Sequence, residues 1–475
     1  MTSHLRTPDS TLPAMVGQAL SPANAWCFPA ILLLFLLAAT ARAQNFTQRG
    51  FLETTALFFP QTAPDDSAYA VGEALFRYEA FYKLTNLRFA AAFDARTDTH
   101  QETARDWGGV WWDRSRLRPL FAVRRLSATY TRGRLTVEAG KQLIRWGKAD
   151  VLTPTDRFAP RDFLNVVDAD FLPITAARVT YGTQSDTLDL ILSPRLTPSR
   201  VPLLDQRWAV LPPGLPVHEL DPAFPGGPQF GARWNHIGAV AEYSFSFYNG
   251  SDHLPLFHVQ PDFALQGASV QRFYPQMRMV GADAASPLGP VTLKGEAAYF
   301  TSTNPQADNY ALWVLQLERQ AGEWSLVAGY AGELTTEHRS VPGFSPVRGL
   351  ARSVVAHAGY TVDVNRSVAF ESVRTARAST PRRSTVRLSA STGAPPPASP
   401  WCAATPPISS ANTTATPTPS SPSATASSRG IRLRLVHRTW CISRGFRNAG
   451  IGPSSPRRTA LALSAPLEPA PPPSR

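Results

Sequence analysis

The stretch AYAVGEALFRYEAFYKLTNLRFAAAFDAR, residues 68–96, changes polarity at almost every position. Successive side chains of a β-strand point to opposite faces, so this period of two predicts two amphipathic strands joined by a tight turn at Thr85 and Asn86. The apolar face of the first strand consists of Ala74, Phe76, Tyr78, Ala80, Tyr82 and Leu84, and its polar face consists of Glu73, Arg77, Glu79 and Lys83. In the second strand, Leu87, Phe89, Ala91, Phe93 and Ala95 oppose Arg88, Asp94 and Arg96. Each strand is therefore suited to separate an apolar medium from a polar one.

The same pattern recurs along the chain and predicts about fifteen strands between Phe51 and Arg374. Short connections near residues 85, 132, 185, 237, 287, 321 and 363 alternate with long ones near 60–69, 98–119, 145–173, 194–228, 249–276, 302–308 and 334–349. Tight turns at one end and long loops at the other are typical of an outer-membrane β-barrel. Lipid offers no partner to an unpaired backbone amide, so a sheet that crosses it must close on itself. The predicted fold class is all-β, an antiparallel transmembrane barrel with roughly 16 to 18 strands in its intact form.

A soluble β-sandwich would also contain alternating strands, and the placement of aromatic residues separates the two possibilities. Tryptophan and tyrosine collect at membrane–water interfaces, so a barrel places them near the ends of its strands. The aromatic residues at or near predicted strand ends are Trp146, Trp234, Trp313, Trp324, Tyr243, Tyr299, Tyr330 and Tyr360. This distribution favours the barrel.

The excess positive charge lies entirely in the last hundred residues. The whole chain has 47 basic and 35 acidic residues, a formal net charge of +12. Residues 376–475 contain 13 of the basic and 1 of the acidic residues, which leaves 34 of each sign in the remainder. A balanced main domain gives no reason to expect a nucleic-acid partner. The cysteines, Cys27, Cys402 and Cys441, all lie outside residues 44–375, so no disulfide or thiolate metal site is expected there.

The N-terminus has the features of a secretory signal peptide. The apolar run Phe28–Thr40 precedes Ala41-Arg42-Ala43, a small-x-small cleavage signal. This run is too short to span a membrane as a helix, which needs about 20 residues. We therefore expect a signal peptide over residues 1–43 with cleavage after Ala43, and export through the Sec pathway. Residues 44–375 are then expected to form a barrel in the outer membrane of a Gram-negative bacterium.

One segment resembles a known group of barrels. In GKQLIRWGKADVLTPTDRFAPRDFLN, residues 140–165, a strand that ends in Gly-Lys-Gln is followed by Trp-Gly and by a loop rich in aspartate and proline. The matching residues are Gly140, Lys141, Gln142, Trp146, Gly147, Asp150, Pro154, Asp156, Pro160, Arg161 and Asp162. This pattern resembles uncharacterised porin-like outer-membrane barrels of Gram-negative bacteria, similar to alginate-export porins, and a weaker resemblance extends from Phe51 to Arg374. The resemblance implies a pore and does not identify the solute.

The loop in this segment is the candidate functional site. Its charged residues are Arg145, Lys148, Asp150, Asp156, Arg157, Arg161 and Asp162, followed by Asp168 and Asp170. Inside a barrel, opposed charges would narrow the pore and set a transverse field that selects solutes. Alternatively, the charges pair with one another and only hold a surface loop in place. The sequence leaves both possibilities open.

The predicted function is a porin-like channel for passive passage of an unidentified small solute. The alternatives are a non-transporting structural or binding barrel with a plugged lumen, and an outer-membrane lipid hydrolase. The sequence contains no HExxH helix, calcium-binding loop or nucleophile-elbow motif, so no enzymatic activity, metal or cofactor is predicted. The expected partners are outer-membrane lipid and the barrel-assembly machinery, and the oligomeric state is left open.

Residues 376–475 differ in chemistry from the rest, with seventeen prolines, thirteen arginines and Glu468 as the one acid. They could be a disordered Pro/Ser/Arg-rich tail, a basic nucleic-acid arm, or part of the barrel gene read in a shifted frame. An exported protein makes the second option the least expected. The segment ARASTPRRST, residues 376–385, can be encoded by codons that, read one base earlier with G as the leading base, give GEGVYAKAEY, which contains acids, lysine and tyrosine. We favour the shifted frame and expect no strand after about Val373, so the chain would be an incomplete and non-functional barrel.

Sequencing the gene around codon 375 tests this explanation. A one-base shift there should restore a strand-patterned continuation that ends in an aromatic residue. A confirmed frame, in a gene whose product still inserts as a heat-modifiable barrel, would contradict the shifted-frame explanation.

Overall fold

The computed structural model describes residues 45–375, apart from positions 60, 64, 106–110, 112, 167–168, 210–214, 264–265, 339–341, 351 and 364–365, together with strands at 384–392 and 439–440. The predicted signal peptide and most of the predicted tail lie outside the described residues. In the described part of the chain, no helix is long and apolar enough to cross a membrane.

Seventeen strands form one large sheet. They are β1 (Phe46–Phe58), β2 (Ala70–Lys83), β3 (Leu87–Asp98), β6 (Phe121–Arg132), β7 (Leu135–Gln142), β10 (Ile174–Gly182), β11 (Asp186–Ser193), β13 (Gln229–Ile237), β14 (Glu242–Ser251), β17 (Gln276–Leu288), β18 (Val291–Thr301), β19 (Asn309–Ala321), β20 (Trp324–Glu337), β21 (Ser353–Asp363), β22 (Arg366–Thr375), β23 (Ser384–Thr392) and β24 (Thr439–Trp440). The strands in the connections are β4 (Thr103–Ala104), β5 (Arg118–Pro119), β8 (Arg161–Asp162), β9 (Asp170–Phe171), β12 (Val217–Ala223), β15 (Leu256–Asp262) and β16 (Gly267–Phe273), and a single 3₁₀ turn covers Arg348–Leu350.

Every pairing in the large sheet is antiparallel and joins strands that follow one another in it, except that β24 pairs with β1. Fifteen of the strands lie between Phe46 and Thr375, which confirms the number predicted from the sequence. The predicted alternation of short and long connections is also confirmed. Two of the tight turns contain Gly133 and Gly322, whose φ angles of +58° and +60° favour glycine.

The wall has apolar side chains outside and polar side chains inside. Phe245 and Leu315 are 57 % and 56 % exposed, whereas their neighbours Ser244 and Gln316 are each 1 % exposed. A soluble sandwich buries its apolar face, so this polarity rules out the sandwich alternative. It is the arrangement of a barrel whose outer face meets an apolar medium.

Most of the aromatic residues predicted at strand ends lie on the outer face. Trp234, Trp313, Trp324, Tyr243, Tyr299, Tyr330 and Tyr360 are all exposed. Trp146 is the exception, because it is buried inside the barrel. It follows β7 after three further residues, and the chain has already turned inward there, so its assignment to an interfacial girdle is wrong.

The contacts of one connection show that the sheet curves. We call residues 143–173, between β7 and β10, the inner loop. Its residue Asp170 binds Arg96 of β3, while Thr155 binds Glu296 of β18. These strands are far apart in the order of the sheet, so the sheet wraps around the inner loop.

The structure differs from the expectation that no strand follows Val373. Residues Ser384–Thr392 pair with β22 along their whole length, and Thr439–Trp440 pair with Phe51 and Leu52 of β1. The segment STVRLSAST has no proline and alternates in polarity, so the overall proline content of the tail concealed a local strand pattern. Among the described residues, no pairing joins β23 to β24. The prediction was therefore wrong for these two strands.

Cysteine labelling tests the orientation of the wall. In a Cys402→Ser/Cys441→Ser background, a cysteine at Phe263, which is 90 % exposed between β15 and β16, should react with an impermeant maleimide on intact cells. A cysteine at Thr85, in the β2–β3 turn, should react only after the outer membrane is permeabilised. The reverse pattern would invert the orientation.

Candidate functional site: the inner loop

The beginning of the inner loop is anchored in the interior by Trp146. Its ring lies edge-on to Phe158 at 5.4 Å, and both side chains pack in a core with inward residues of β10, β11, β14 and β17–β19. The indole Nε1 donates a hydrogen bond to Asp189 of β11 at 3.2 Å. Burying a tryptophan in this way satisfies its one polar atom, so the Trp-Gly motif of the sequence fixes the loop to the wall.

Glu296 of β18 holds the next part of the loop. Its carboxylate accepts hydrogen bonds from the backbone N–H of Lys148 at 3.1 Å and of Ala149 at 3.4 Å. It also accepts bonds from the backbone N–H and the hydroxyl of Thr155, both at 2.8 Å. Gly147 lets the carboxylate approach, because its φ is +92° and a Cβ atom there would lie 2.6 Å from Glu296. One side chain thus satisfies four donors of residues 148–155, a part of the loop that pairs with no described strand.

Gln316 of β19 continues this row of contacts. Its Oε1 accepts hydrogen bonds from the backbone N–H of Asp150 at 2.8 Å and of Val151 at 3.1 Å. Its Nε2 donates to the Asp150 carboxylate at 2.6 Å, which also binds Lys294 at 2.9 Å. Two polar residues on adjacent strands therefore replace the backbone ladder that the loop lacks.

Glycines on the inner wall provide space for the side chains of the loop. A Cβ atom at Gly231 would lie 2.3 Å from the Phe158 ring, and one at Gly281 would lie 2.7 Å from Cγ2 of Thr155. Such distances are shorter than van der Waals contact, so the loop and the wall fit only because these positions lack a side chain.

The opposite flank of the inner loop meets a group of arginines. The Asp170 carboxylate lies 3.0 Å from Arg124, 3.1 Å from Arg96 and 3.5 Å from Arg77. A β-bulge in β6 directs Arg124 inward beside Arg125. Burial alone would raise the pKa of Asp170, but the three arginines outweigh it and hold the pKa well below its usual range.

Asp162 joins the loop to two further connections. Its carboxylate lies 2.9 Å from Arg118 and 3.1 Å from Arg200, and all three side chains are buried. Burial alone would raise the pKa of Asp162. The opposing effect of Arg118 and Arg200 is larger and lowers this pKa to about 2. Asp162 therefore remains ionised at neutral pH and ties the loop to β5 and to the segment before β12.

The charged loop residues that the sequence predicted as a pore constriction differ in whether their partners lie inside or outside the loop. Arg145 binds Asp156 at 3.4 Å, which is the pairing within the loop that the sequence left open. Lys148, Asp150 and Asp162 instead pair with residues outside the loop.

The remaining two cations stack on aromatic rings, Arg157 on Phe300 at 5.1 Å and Arg161 on Phe171 at 4.4 Å. Arg145 is the most accessible, with 46 % of its side chain exposed, whereas Asp156, Arg157 and Asp162 are buried. Burial raises the pKa of Asp156, and Arg145 opposes that effect.

Sequence reasoning did not identify Glu296 and Gln316 as anchors. The alternation of β18 and β19 predicts that both face the lumen, but many polar residues share that position. Their particular role depends on the path of a loop more than 140 residues earlier in the chain. A single sequence contains no signal for such a contact.

A hydrolase would need a serine beside a histidine, and one such pair is present: Ser199 Oγ lies 2.8 Å from His253 Nδ1. Both residues are buried, and the serine oxygen also accepts the backbone N–H of Arg161 at 2.8 Å. Burial holds the pKa of His253 well below its usual value. The pair joins the inner loop to the β11–β13 and β14–β17 connections, and its burial keeps a lipid substrate from reaching it. No group of three or more His, Cys, Asp or Glu among the described residues could hold a metal ion.

Replacing Glu296 by alanine should release the inner loop, because four buried donors lose their acceptor and each costs about 1–3 kcal/mol. We expect faster trypsin cleavage within residues 143–173 in a barrel that remains heat-modifiable. Glu318→Ala is the matched control, since Glu318 lies on the neighbouring strand and binds Lys294. Equal cleavage of both variants would show that Glu296 does not anchor the loop.

No protein-family model matches the sequence, and no curated protein matches it significantly. Similar solved structures include a triple mutant of the Rhodopseudomonas blastica porin, at 9 % identity over 70 % of this chain and 94 % of that chain, with a TM-score of 0.36. OmpT of Vibrio cholerae in its trimer form has 10 % identity over 70 % of this chain and 90 % of that chain, with a TM-score of 0.41. Salmonella typhi OmpF in complex with daunomycin has 10 % identity over 69 % of this chain and 90 % of that chain, with a TM-score of 0.37. At such scores these likenesses add nothing to the fold that the strand pairing itself establishes.

Proposed function

We propose that this protein is an outer-membrane channel of a Gram-negative bacterium that allows passive passage of a small solute. The observation that carries the proposal is a wall with apolar side chains outside and polar side chains inside, wrapped around an inward-folded loop. Lipid favours such an outer face, and a polar interior gives water and solutes a path. The signal peptide predicted over residues 1–43 supports export.

The apolar cores indicate where the path runs. The inner loop packs against β10–β21 through two apolar clusters, which exclude water from that side. The facing wall carries charged pairs, such as Arg125 with Glu138 at 2.9 Å and Arg49 with Glu79. Arg145 stacks on Phe171 at 4.0 Å, next to Asp170, which binds the arginines of that wall. We therefore place the path between the inner loop and the wall of β1–β7.

Charge substitutions of opposite sign test the role of the inner loop in selectivity. Arg145→Gln removes an accessible cation and should shift the reversal potential in a KCl gradient toward cation selectivity. Asp170→Asn, whose side chain is 38 % exposed beside the wall of β1–β7, should shift it toward anions. If both variants retain the wild-type reversal potential in a conducting channel, these charges do not face the path.

A plugged, non-transporting barrel is the second candidate, and the buried ion pairs of Asp162 favour it. These pairs bind the loop to Arg118 and Arg200 on the polar side as well, where they occupy part of the lumen. Planar-bilayer recording separates the two candidates. A channel gives stepwise conductance, and a plugged barrel gives none from preparations whose heat-modifiability shows that they are folded.

A further inference from the structure

His100, just after β3, lies between two carboxylates at the end of the barrel that carries the long connections. Its Nε2 is 3.1 Å from Asp66 of the β1–β2 connection, and its Nδ1 is 3.4 Å from Glu102 of the β3–β6 connection. Both carboxylate side chains are 3 % exposed, and the imidazole is 14 % exposed. One histidine therefore joins two connections of the chain in a largely enclosed position.

The two contacts need two N–H donors on one ring. A neutral imidazole carries a proton on only one of its nitrogens, so one carboxylate would face the lone pair of the other nitrogen. The imidazolium cation carries a proton on both nitrogens and attracts both carboxylates. Only the protonated ring of His100 therefore satisfies Asp66 and Glu102 at the same time.

Each of the two carboxylates also binds an arginine. Arg207 of the β11–β13 connection lies 2.8 Å from Asp66, and Arg118 of β5 lies 2.6 Å from Glu102. Arginine stays charged at every pH in the neutral range, so these two pairs persist when the ring loses its proton. His100 is therefore the member of the cluster whose charge changes near neutral pH.

Two more polar side chains complete the surroundings of the ring. Gln206 Nε2 donates a hydrogen bond to Glu102 at 3.1 Å. Asp98 accepts the backbone N–H of His100 at 2.7 Å and that of Glu102 at 3.0 Å, which brings a third carboxylate close to the ring. The hydrogen bonds to Glu102 and Asp66 raise the pKa of His100 above its ordinary value of 6.5, although burial opposes them.

We propose that His100 is a proton-dependent link that fastens the β1–β2 connection to the β3–β6 connection and loosens as the pH rises. Because the pKa of His100 is raised in the folded protein, the link is complete below pH 6.5 and is lost as the pH rises through the higher folded-state pKa. Arg207 holds Asp66 at every pH, so the β1–β2 connection gains mobility without unfolding.

The link continues into the inner loop. Arg118, which binds Glu102, also lies 2.9 Å from Asp162 of that loop. His100 therefore acts at the polar flank of the inner loop, beside the proposed solute path. A conducting barrel and a plugged one would contain the same link, so the outcome for the channel does not decide the outcome for His100.

A nitroxide spin label at Ser67 tests the link, because this exposed residue directly follows Asp66. The full chain, in a Cys27→Ser/Cys402→Ser/Cys441→Ser background, is refolded in detergent and titrated from about pH 5.5 to about pH 8.5. We expect the immobilised fraction in the electron paramagnetic resonance spectrum to fall as the pH rises. The midpoint should lie above pH 6.5, because the two carboxylates favour the protonated ring.

Two variants assign the transition to His100. His100→Gln has no titratable group at this position, so its label should show no pH transition. His236→Gln is the matched control, since His236 Nδ1 also lies 2.9 Å from a carboxylate, that of Asp186, but at the end with the short turns. It should keep the wild-type transition, and heat-modifiability shows that each variant is folded.

The proposal is overturned if the wild-type label keeps one line shape over this pH range, or if its midpoint lies at or below pH 6.5. It is also overturned if His100→Gln retains the transition, because another group would then titrate. Loss of the transition in His236→Gln would likewise contradict a local link at His100. Should His100→Gln fail to fold, the midpoint of the wild-type protein alone decides.

Discussion

A loop that enters a barrel brings its backbone amides into a space where no strand can pair with them. This constraint governs the interior of the protein, and Glu296 and Gln316 meet it. Together they accept hydrogen bonds from the backbone N–H groups of five loop residues, and Glu296 also accepts one from the Thr155 hydroxyl. Unsatisfied, each buried donor would cost about 1–3 kcal/mol, so the path of the loop depends on these two side chains.

The loop divides the interior into two unlike halves. On one side, aromatic and aliphatic residues of the loop fill the space against the wall as closely as in a soluble core. On the other, carboxylates of the loop meet arginines of β2, β3 and β6, and Asp170 alone lies near three of them. Charge pairs tolerate water where apolar packing excludes it, so the polar half is the half through which solutes could pass. A single loop thus packs apolar side chains against one part of the wall and presents carboxylates to the other.

The sequence predicted the wall well and the interior poorly, and the reason is physical. A strand that separates lipid from water must alternate in polarity, so the fifteen strands of the large sheet between Phe46 and Thr375 left a local signal, whereas the short strands in the connections did not. Trp146 was misplaced because an aromatic residue after a strand suits an interface and a core equally well. The anchoring by Glu296 connects residues far apart in the chain, which no local period encodes. Ser384–Thr392 was missed because the surrounding prolines masked a short strand pattern.

The position of the inner loop, inside the barrel and against the wall, is tested most directly by a disulfide between loop and wall. A Cβ atom at Gly281 would lie 2.7 Å from Cγ2 of Thr155, and Thr155→Cys removes this methyl group. Since Cγ2 is one bond from the Thr155 Cβ, the two Cβ atoms lie near the spacing of about 3.8 Å that a disulfide requires. In a Cys402→Ser/Cys441→Ser background, the Thr155→Cys/Gly281→Cys protein should oxidise to a cross-linked form while the barrel remains heat-modifiable. If the folded barrel stays reduced under oxidation, with both thiols open to an impermeant maleimide, the loop does not lie where this account places it.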